Sequence, residues 1–350
     1  MNLKSVDYEL PKELIAKNPA SPRDSSSLVE VKESFEIYKF TYLINLLKKG
    51  DCLVINNTKV VPAQLSGICK GKKISLTLNN IISKNPTVKW TAFCKPIKKI
   101  EKNLKINFSK NFDAKIEEIK RDHNLPYLII NFNCNYEDFL KKIKRFGKIA
   151  LPPYITKIRN FEVSDNKNYQ TIFSKIFGAV ASPTASLHFS TPLKNKLIKK
   201  GVKIVFVTLH VNGGTFLPIN TENFNNHKMH IEYGEIPKKT SNLINKLRSN
   251  GGKIIAVGTT VLRILESSKD KNGKVLPFKG NTNIFIKPGW KVNTIDALIT
   301  NFHTPRSTLL LILHALIGES ITRKLYEFAI KKKLRFLSYG DACLIWIKNG

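Results

Sequence analysis

The chain changes its periodicity twice, and that change limits the architectures open to it. From about Lys59 to Asn133 it breaks into short strand-like runs, Ile74–Leu78, Val88–Phe93, Leu104–Phe108, Ala114–Ile119 and Tyr127–Phe132. Several alternate apolar and polar residues, and Asn, Gly, Pro or Lys clusters part them. Short strands at even spacing predict an antiparallel sheet or small barrel. After Asn135 the rhythm becomes helix and strand in turn. Helices are expected over Tyr136–Phe146, from Thr191-Pro192 (as N-cap and N1) to Gly201, and over Pro237–Asn250, Thr260–Ser268, Ser307–Gly318 and Ile321–Lys332. Strands are expected over Lys203–Leu209, Lys253–Val257 and Val292–Ile299. Such alternation implies an α/β layer with a largely parallel sheet. Cys52–Ile55 reads as a further strand of that layer. The expected architecture is therefore a main α/β domain with a mostly parallel sheet, formed by residues 1–58 and 134–350. An inserted antiparallel β-barrel-like domain occupies residues 59–133.

Six polar segments rich in His, Thr and Gly punctuate the apolar runs. They are Gly178-Ala-Val-Ala-Ser-Pro-Thr-Ala-Ser-Leu-His-Phe189, Thr208-Leu-His-Val-Asn-Gly-Gly-Thr-Phe216, His227-Lys-Met-His230, Gly258-Thr-Thr260, Thr300-Asn-Phe-His-Thr-Pro-Arg-Ser-Thr308 and Ser338-Tyr-Gly-Asp341. They hold five of the seven histidines, which ordinary turns would not. Three of them begin where predicted strands end, at His210, Gly258 and Thr300. Open α/β sheets bind ligands at that edge, so the topology would gather distant segments into one site.

Each segment offers a chemistry and a plainer alternative. Gly258-Thr259-Thr260 opens a helix, where free amides and the helix dipole favour an anion; any strand-to-helix turn can look the same. Neither G-x-G-x-x-G nor G-K-[ST] is present. His210 precedes Gly213, Gly214 and Thr215 and is suited to act as a general base, or it is a satisfied strand-end histidine. His188 and His303 are alternates for that role. His227 and His230, three apart, could share a metal face, yet no acid or cysteine accompanies them and Lys228 between them opposes a cation, so no metal is expected. Arg263 and Arg306 could fork a carboxylate or phosphate, with Asn301 beside them, or lie on the surface. Asp341 could orient a base or grip a ribose hydroxyl, or close an Asx-turn.

Lys and Arg number 58 against 26 Asp and Glu, a net charge of +32. That favours a polyanionic partner, nucleic acid first, although 49 of these cations are Lys and an A+T-rich genome produces the same bias. The five cysteines are scattered without a C-x-x-C pair, which points to reduced thiols in a cytoplasm. Met1 to Leu14 shows no signal-peptide pattern, and the longest apolar run, Leu309 to Leu313, falls short of a membrane span.

These segments together resemble the S-adenosylmethionine:tRNA ribosyltransferase-isomerase family of queuosine biosynthesis. The resemblance runs from Asp7-Tyr-Glu-Leu-Pro11 through Pro22-Arg-Asp-Ser25, Leu151-Pro-Pro-Tyr-Ile155, Tyr169-Gln-Thr171, Gly178–Phe189, Phe206–Val211, His227–His230, Ala256–Thr260, Leu265-Glu-Ser267 and Asp296–His303 to Ser338–Asp341. The chain departs from the family pattern at Ser186, at Asn212-Gly213 and at Val261. It also departs at Asn57-Thr58-Lys59 and Gln64, where an Asp and two Arg of the pattern are replaced.

The resemblance implies transfer and isomerisation of the ribosyl part of S-adenosylmethionine onto a 7-aminomethyl-7-deazaguanine. That base sits at the wobble position of a tRNA anticodon loop, and adenine and methionine leave. S-adenosylmethionine is then a substrate, and no cofactor or metal is implied. A cytoplasmic monomer without membrane attachment is expected. Two other readings stay open at this point: a non-enzymatic basic RNA-binding protein, and a metal-dependent hydrolase built on His227 and His230.

Overall fold

Cys52–Asn56 is a strand with no side chain that water reaches. A strand buried on both faces is the signature of a sheet covered by helices on both sides. It lies at the centre of a nine-stranded sheet, parallel to Lys203–Leu209 on one side and to Ile254–Val257 on the other. Ala297–Asn301 continues the parallel run beyond Ile254–Val257. The computed structural model that gives this architecture describes residues 3–98, 100–121, 126–216, 224 and 229–347.

Alternate residues of the central strand feed two cores. Leu53 and Ile55 pack with Leu43, Leu193 and Leu197 beneath helices Leu43–Leu46 and Thr191–Lys199. Cys52 and Val54 pack with Ile244, Val261 and Leu265 beneath helices Lys238–Ser249 and Thr259–Ser267. The sheet is mixed at its flanks. Glu232–Ile236 and Phe278–Thr282 extend one side antiparallel. On the other side Ala342–Trp346 runs antiparallel to Ala297–Asn301, and Ser27–Val31 and Phe35–Lys39 follow it. The expected mostly parallel layer is thus the sheet's centre.

The second unit is a closed barrel of six strands: Gln64–Cys69, Lys72–Ser83, Val88–Lys95, Lys105–Ser109, Phe112–Arg121 and Pro126–Phe132. Neighbours are antiparallel throughout. Burial alternates along Val88–Lys95, which puts Val88, Trp90, Ala92 and Cys94 inside. Helix Tyr136–Phe146, capped by Asn135 accepting from the Asp138 amide at 2.9 Å, adds Phe139 and Ile143 to that core.

Two expectations need correction. Helix Thr191–Lys199 is capped by Ser190, whose Oγ accepts from the Leu193 amide at 3.1 Å, so the cap lies one residue before Thr191. The strand expected over Val292–Ile299 begins only at Ala297. The amides of Asn293 and Thr294 instead reach the Glu266 carboxylate, which withdraws them from any ladder. The two helices expected over Ser307–Gly318 and Ile321–Lys332 are present, one starting at Thr308 and the other ending at Lys331, parted by non-helical Gly318 at φ 79°. Strands Ser27–Val31, Phe35–Lys39, Gln64–Cys69, Glu232–Ile236, Phe278–Thr282 and Ala342–Trp346 carry no prediction above.

Barrel and sheet meet at the segment after Lys203–Leu209. The Gly213 amide donates to Asn79 Oδ1 at 2.8 Å, and Asn80 Nδ2 donates to the Ile231 carbonyl at 3.4 Å. Gly214 has the His230 ring packed against its Cα, with no room for a side chain.

Candidate active site

Three strands of the parallel centre deliver Leu209, Val257 and Asn301 to the same edge. Asn56, at the end of the strand between the first two, ties this edge together. Its Oδ1 accepts from the amides of Leu209 and Thr58, both at 3.1 Å, and its Nδ2 donates to the Leu209 carbonyl at 2.9 Å and to Thr260 Oγ1 at 3.3 Å. Gly258, at φ 97°, turns the chain straight from strand into helix Thr259–Ser267, a conformation that favours glycine.

A cavity of about 280 Å³ opens here. Ala181–Ala185, Val211, Gly258–Thr260, the stretch from Thr300 to Pro305, and Ser338 all line it. Five of the six polar segments therefore share one wall. Of the sixth, His227 lies outside the described residues, and His230 sits against Gly214, outside the lining. Gly258, Thr259 and Thr260 present the first turn of the helix, whose amides have no intrahelical acceptor. In the same wall the hydroxyls of Ser182 and Ser307 are buried with no partner among the described residues. Tyr154 OH and Ser338 Oγ lie 2.5 Å apart, and burial pushes the Tyr154 phenol up to about 12, so it stays a donor.

The histidines separate into three situations. His303 lines the cavity. Thr300 Oγ1 holds its Nε2 at 3.0 Å, and among the described residues nothing bonds Nδ1. Tyr326 accepts from the His303 amide at 2.8 Å while Tyr8 donates to its carbonyl, so the backbone is clamped. Burial lowers the ring to about 3, and it is neutral at pH 7. His188 lies behind Asn301. Thr184 Oγ1 donates to Asn301 Oδ1 at 2.9 Å, so the Asn301 amide donates to His188 Nε2 at 3.1 Å. Nδ1 must then carry the proton, donated to Ser26 Oγ at 2.8 Å. Both nitrogens are used, which makes His188 a positioning residue for Asn301. Burial first, then Arg335 and Arg23, lowers its ring to about 3.

His210, the first candidate for the base, does not line this cavity. Its neighbour Val211 does, and His210 lines a second one, with Thr58 Oγ1 on its Nδ1 at 2.7 Å and Gly178 against its ring. Burial, aided by Lys84, lowers its ring to about 4.

The two arginines are engaged elsewhere. Arg263 is buried and paired with Glu232. Arg306 is exposed and donates through Nε and Nη2 to Asp7 Oδ2 at 2.8 and 2.6 Å. Neither lines the cavity. Asp341 accepts from the amides of Ser27 and Arg335, each at 2.8 Å, and so braces the N-terminal strand to the last one. Gly213 and Gly214 close the joint to the barrel, and Thr215 follows in the short turn Gly213–Phe216. Sequence reasoning missed Asn56, Thr58, Thr184, Glu232, Tyr8 and Tyr326. Only Asn56 gave a signal, the first of an Asn-Asn pair ending an apolar strand.

The buried rings make the fold sensitive to acid. The folded pKa values of His188 and His303, about 3, lie below the ordinary 6.5, so the unfolded chain takes up protons first as pH falls. Their stability contribution is intact above about pH 6.5 and is lost between there and pH 3. At pH 5 each should cost roughly 2 kcal/mol. Urea unfolding at pH 7 and pH 5 measures the drop, and an unchanged free energy would refute the buried neutral rings.

Comparison with known proteins gives a consistent result. A sequence model of the queuosine biosynthesis protein family matches residues 3–345. A Zymomonas mobilis S-adenosylmethionine:tRNA ribosyltransferase-isomerase is 41% identical over 346 residues, 99% of each chain. A Rickettsia bellii protein of the same description is 42% identical, covering 99% of this chain and 100% of its own. The crystal structure of the S-adenosylmethionine tRNA ribosyltransferase of Thermotoga maritima matches with a TM-score of 0.54 at 29% identity, over 97% of this chain and 99% of that one.

Proposed function

Since the chain belongs to the queuosine biosynthesis protein family, we propose that its five-segment cavity is where S-adenosylmethionine reacts. The activity is that of a transferase. It moves and isomerises the ribosyl moiety of S-adenosylmethionine onto 7-aminomethyl-7-deazaguanine at the tRNA wobble position, releasing adenine and methionine to give epoxyqueuosine-tRNA. The observation that carries the site assignment is the meeting of five separate polar segments at the carboxyl edge of the parallel strands.

The substrate's charges match the wall. The methionine carboxylate belongs at the Gly258-Thr259-Thr260 helix start, where the Gly258 amide is held by the Ile299 carbonyl while the Thr259 and Thr260 amides and the dipole favour an anion. Ribose hydroxyls find partners in Ser182, Ser307 and Thr184. The sulfonium acidifies the adjacent C5′ hydrogens, and His303, in the cavity wall with Nδ1 open, is positioned to take one. Sulfonium chemistry supplies its own leaving group, so no redox cofactor or metal is required. The base must be splayed from the anticodon loop to react. Net charge +32 favours holding the RNA. We also infer a cytoplasmic monomer. All five cysteines are free thiols, and no described helix is long and apolar enough to cross a membrane. An RNA clamp without catalysis accounts for the charge but not for the convergent cavity. The hydrolase reading rests on His227, which lies outside the described residues, and on His230, which packs against Gly214 outside the cavity lining.

Gly258→Ala tests the carboxylate assignment. The added methyl strains a backbone at φ 97° and shifts the helix start. Loss of charge-assisted bonds of roughly 1.5–3 kcal/mol should raise the KM for S-adenosylmethionine about 10- to 150-fold, with the RNA KM little changed. An unchanged S-adenosylmethionine KM would move the carboxylate elsewhere.

A further inference from the structure

The second cavity, of about 570 Å³, lies beside the first across the His210-Val211 pair, for His210 lines one and Val211 the other. Several parts of the fold build it. Lys84 comes from the barrel, just after strand Lys72–Ser83; His210 follows strand Lys203–Leu209; Tyr233 and Glu235 come from strand Glu232–Ile236. Lys239 and Lys279 close it from the neighbouring helix and the edge strand. Tyr233 is 38% exposed and lies nearly parallel to the His210 ring, centroids 6.2 Å apart at 18°. Thr58 holds the His210 ring from behind. Lys84 lines the cavity, and its ammonium stands 4.8 Å over the Tyr136 ring. Among the described residues none of the three lysines is in an ion pair, and Glu235 is the one acid in the wall.

An exposed aromatic face ringed by unpaired cations is the recurring design for single-stranded nucleic acid, in which the base stacks and lysines take the phosphates. A purely apolar ligand would leave the cations without a role, and a free anion would leave the aromatic face without one. The cavity also straddles the joint between barrel and sheet, next to the reaction site. We propose that it binds an unpaired nucleotide flanking the modified base in the RNA loop, stacked on Tyr233 with its phosphates on Lys84, Lys239 and Lys279. The identification of RNA as the ligand rests on the activity described above.

The test uses the full chain and an anticodon stem-loop RNA carrying 7-aminomethyl-7-deazaguanine at the wobble position. Two quantities are read: the RNA Kd as a function of salt, and the separate KM values for RNA and S-adenosylmethionine during adenine release. Tyr233→Ala should weaken RNA binding about 5- to 100-fold, as loss of one base stack does, and Tyr233→Phe should restore it. The S-adenosylmethionine KM should stay within about twofold. Replacing all three lysines by Gln should reduce the slope of log K against log salt by about two. Tyr233→Ala and the lysine variant binding RNA with wild-type affinity and slope would overturn the proposal. So would equal weakening in Tyr233→Phe and Tyr233→Ala, or competition by free nucleotides as effective as by the stem-loop. A wild-type chain that releases no adenine would contradict the activity instead, and the binding comparison would still decide the cavity.

Discussion

Glu232→Ala should destabilise the protein by roughly 3–5 kcal/mol, the largest stability loss expected from a single polar substitution here. Glu232 and Arg263 form a buried pair, their side chains 2% and 7% exposed. The same carboxylate accepts from the Asn212 amide at 3.4 Å and so secures the segment that leads to the barrel joint. The pair is made through Arg263 Nη1, and Nε and Nη2 have no partner among the described residues. Removing the acid strands a guanidinium in the core, which costs far more than the pair contributes. Urea unfolding checks this, with Glu232→Ala/Arg263→Met as the companion. The double variant should regain most of the loss, because an apolar side chain replaces the stranded charge. A single variant as stable as wild type would show that Arg263 finds another anion.

His303→Ala should lower kcat by about 10²- to 10⁴-fold, the usual contribution of a positioned proton-transfer group. It should also slow exchange of the C5′ hydrogens of S-adenosylmethionine with solvent deuterium, because His303 is the one histidine in the cavity wall among the described residues. The loss in His210→Ala should appear mainly in the RNA KM, as its place in the second cavity requires. Normal exchange in His303→Ala, with loss in His210→Ala, would return the base role to His210 and move the reaction toward the second cavity.

How much of this was legible in the sequence depended on what each residue type must do locally. Tyr136–Phe146 and Lys203–Leu209 were read to the residue, because apolar spacing marked the helix and Gly201, closing the preceding helix, bounded the strand. The barrel strands were found within a few residues because alternation survives on a curved sheet. Gln64–Cys69 was missed because its pattern includes exposed Ser66 and Ile68 and a central glycine. The flanking strands were missed for a different reason. Ser27–Val31 and Ala342–Trp346 pair across 314 residues, and nothing local records such a partner. The site shows the same limit. Convergence of the polar segments was legible, since topology alone places strand ends together. The roles of Arg263 and Arg306 were not, because whether an arginine is free depends on an acid elsewhere, Glu232 for one and Asp7 for the other. His188 looked like His303 in sequence. Only the buried chain from Ser26 to Asn301 separates a positioning residue from one that faces the cavity.

The most direct test of the central claim is adenine release from S-adenosylmethionine, measured with two anticodon stem-loops that differ only at the wobble base. With 7-aminomethyl-7-deazaguanine there, adenine should form one-for-one with ribosylated RNA; with guanine there, none should form. Absence of adenine with the first RNA, or equal release with both, would contradict the account.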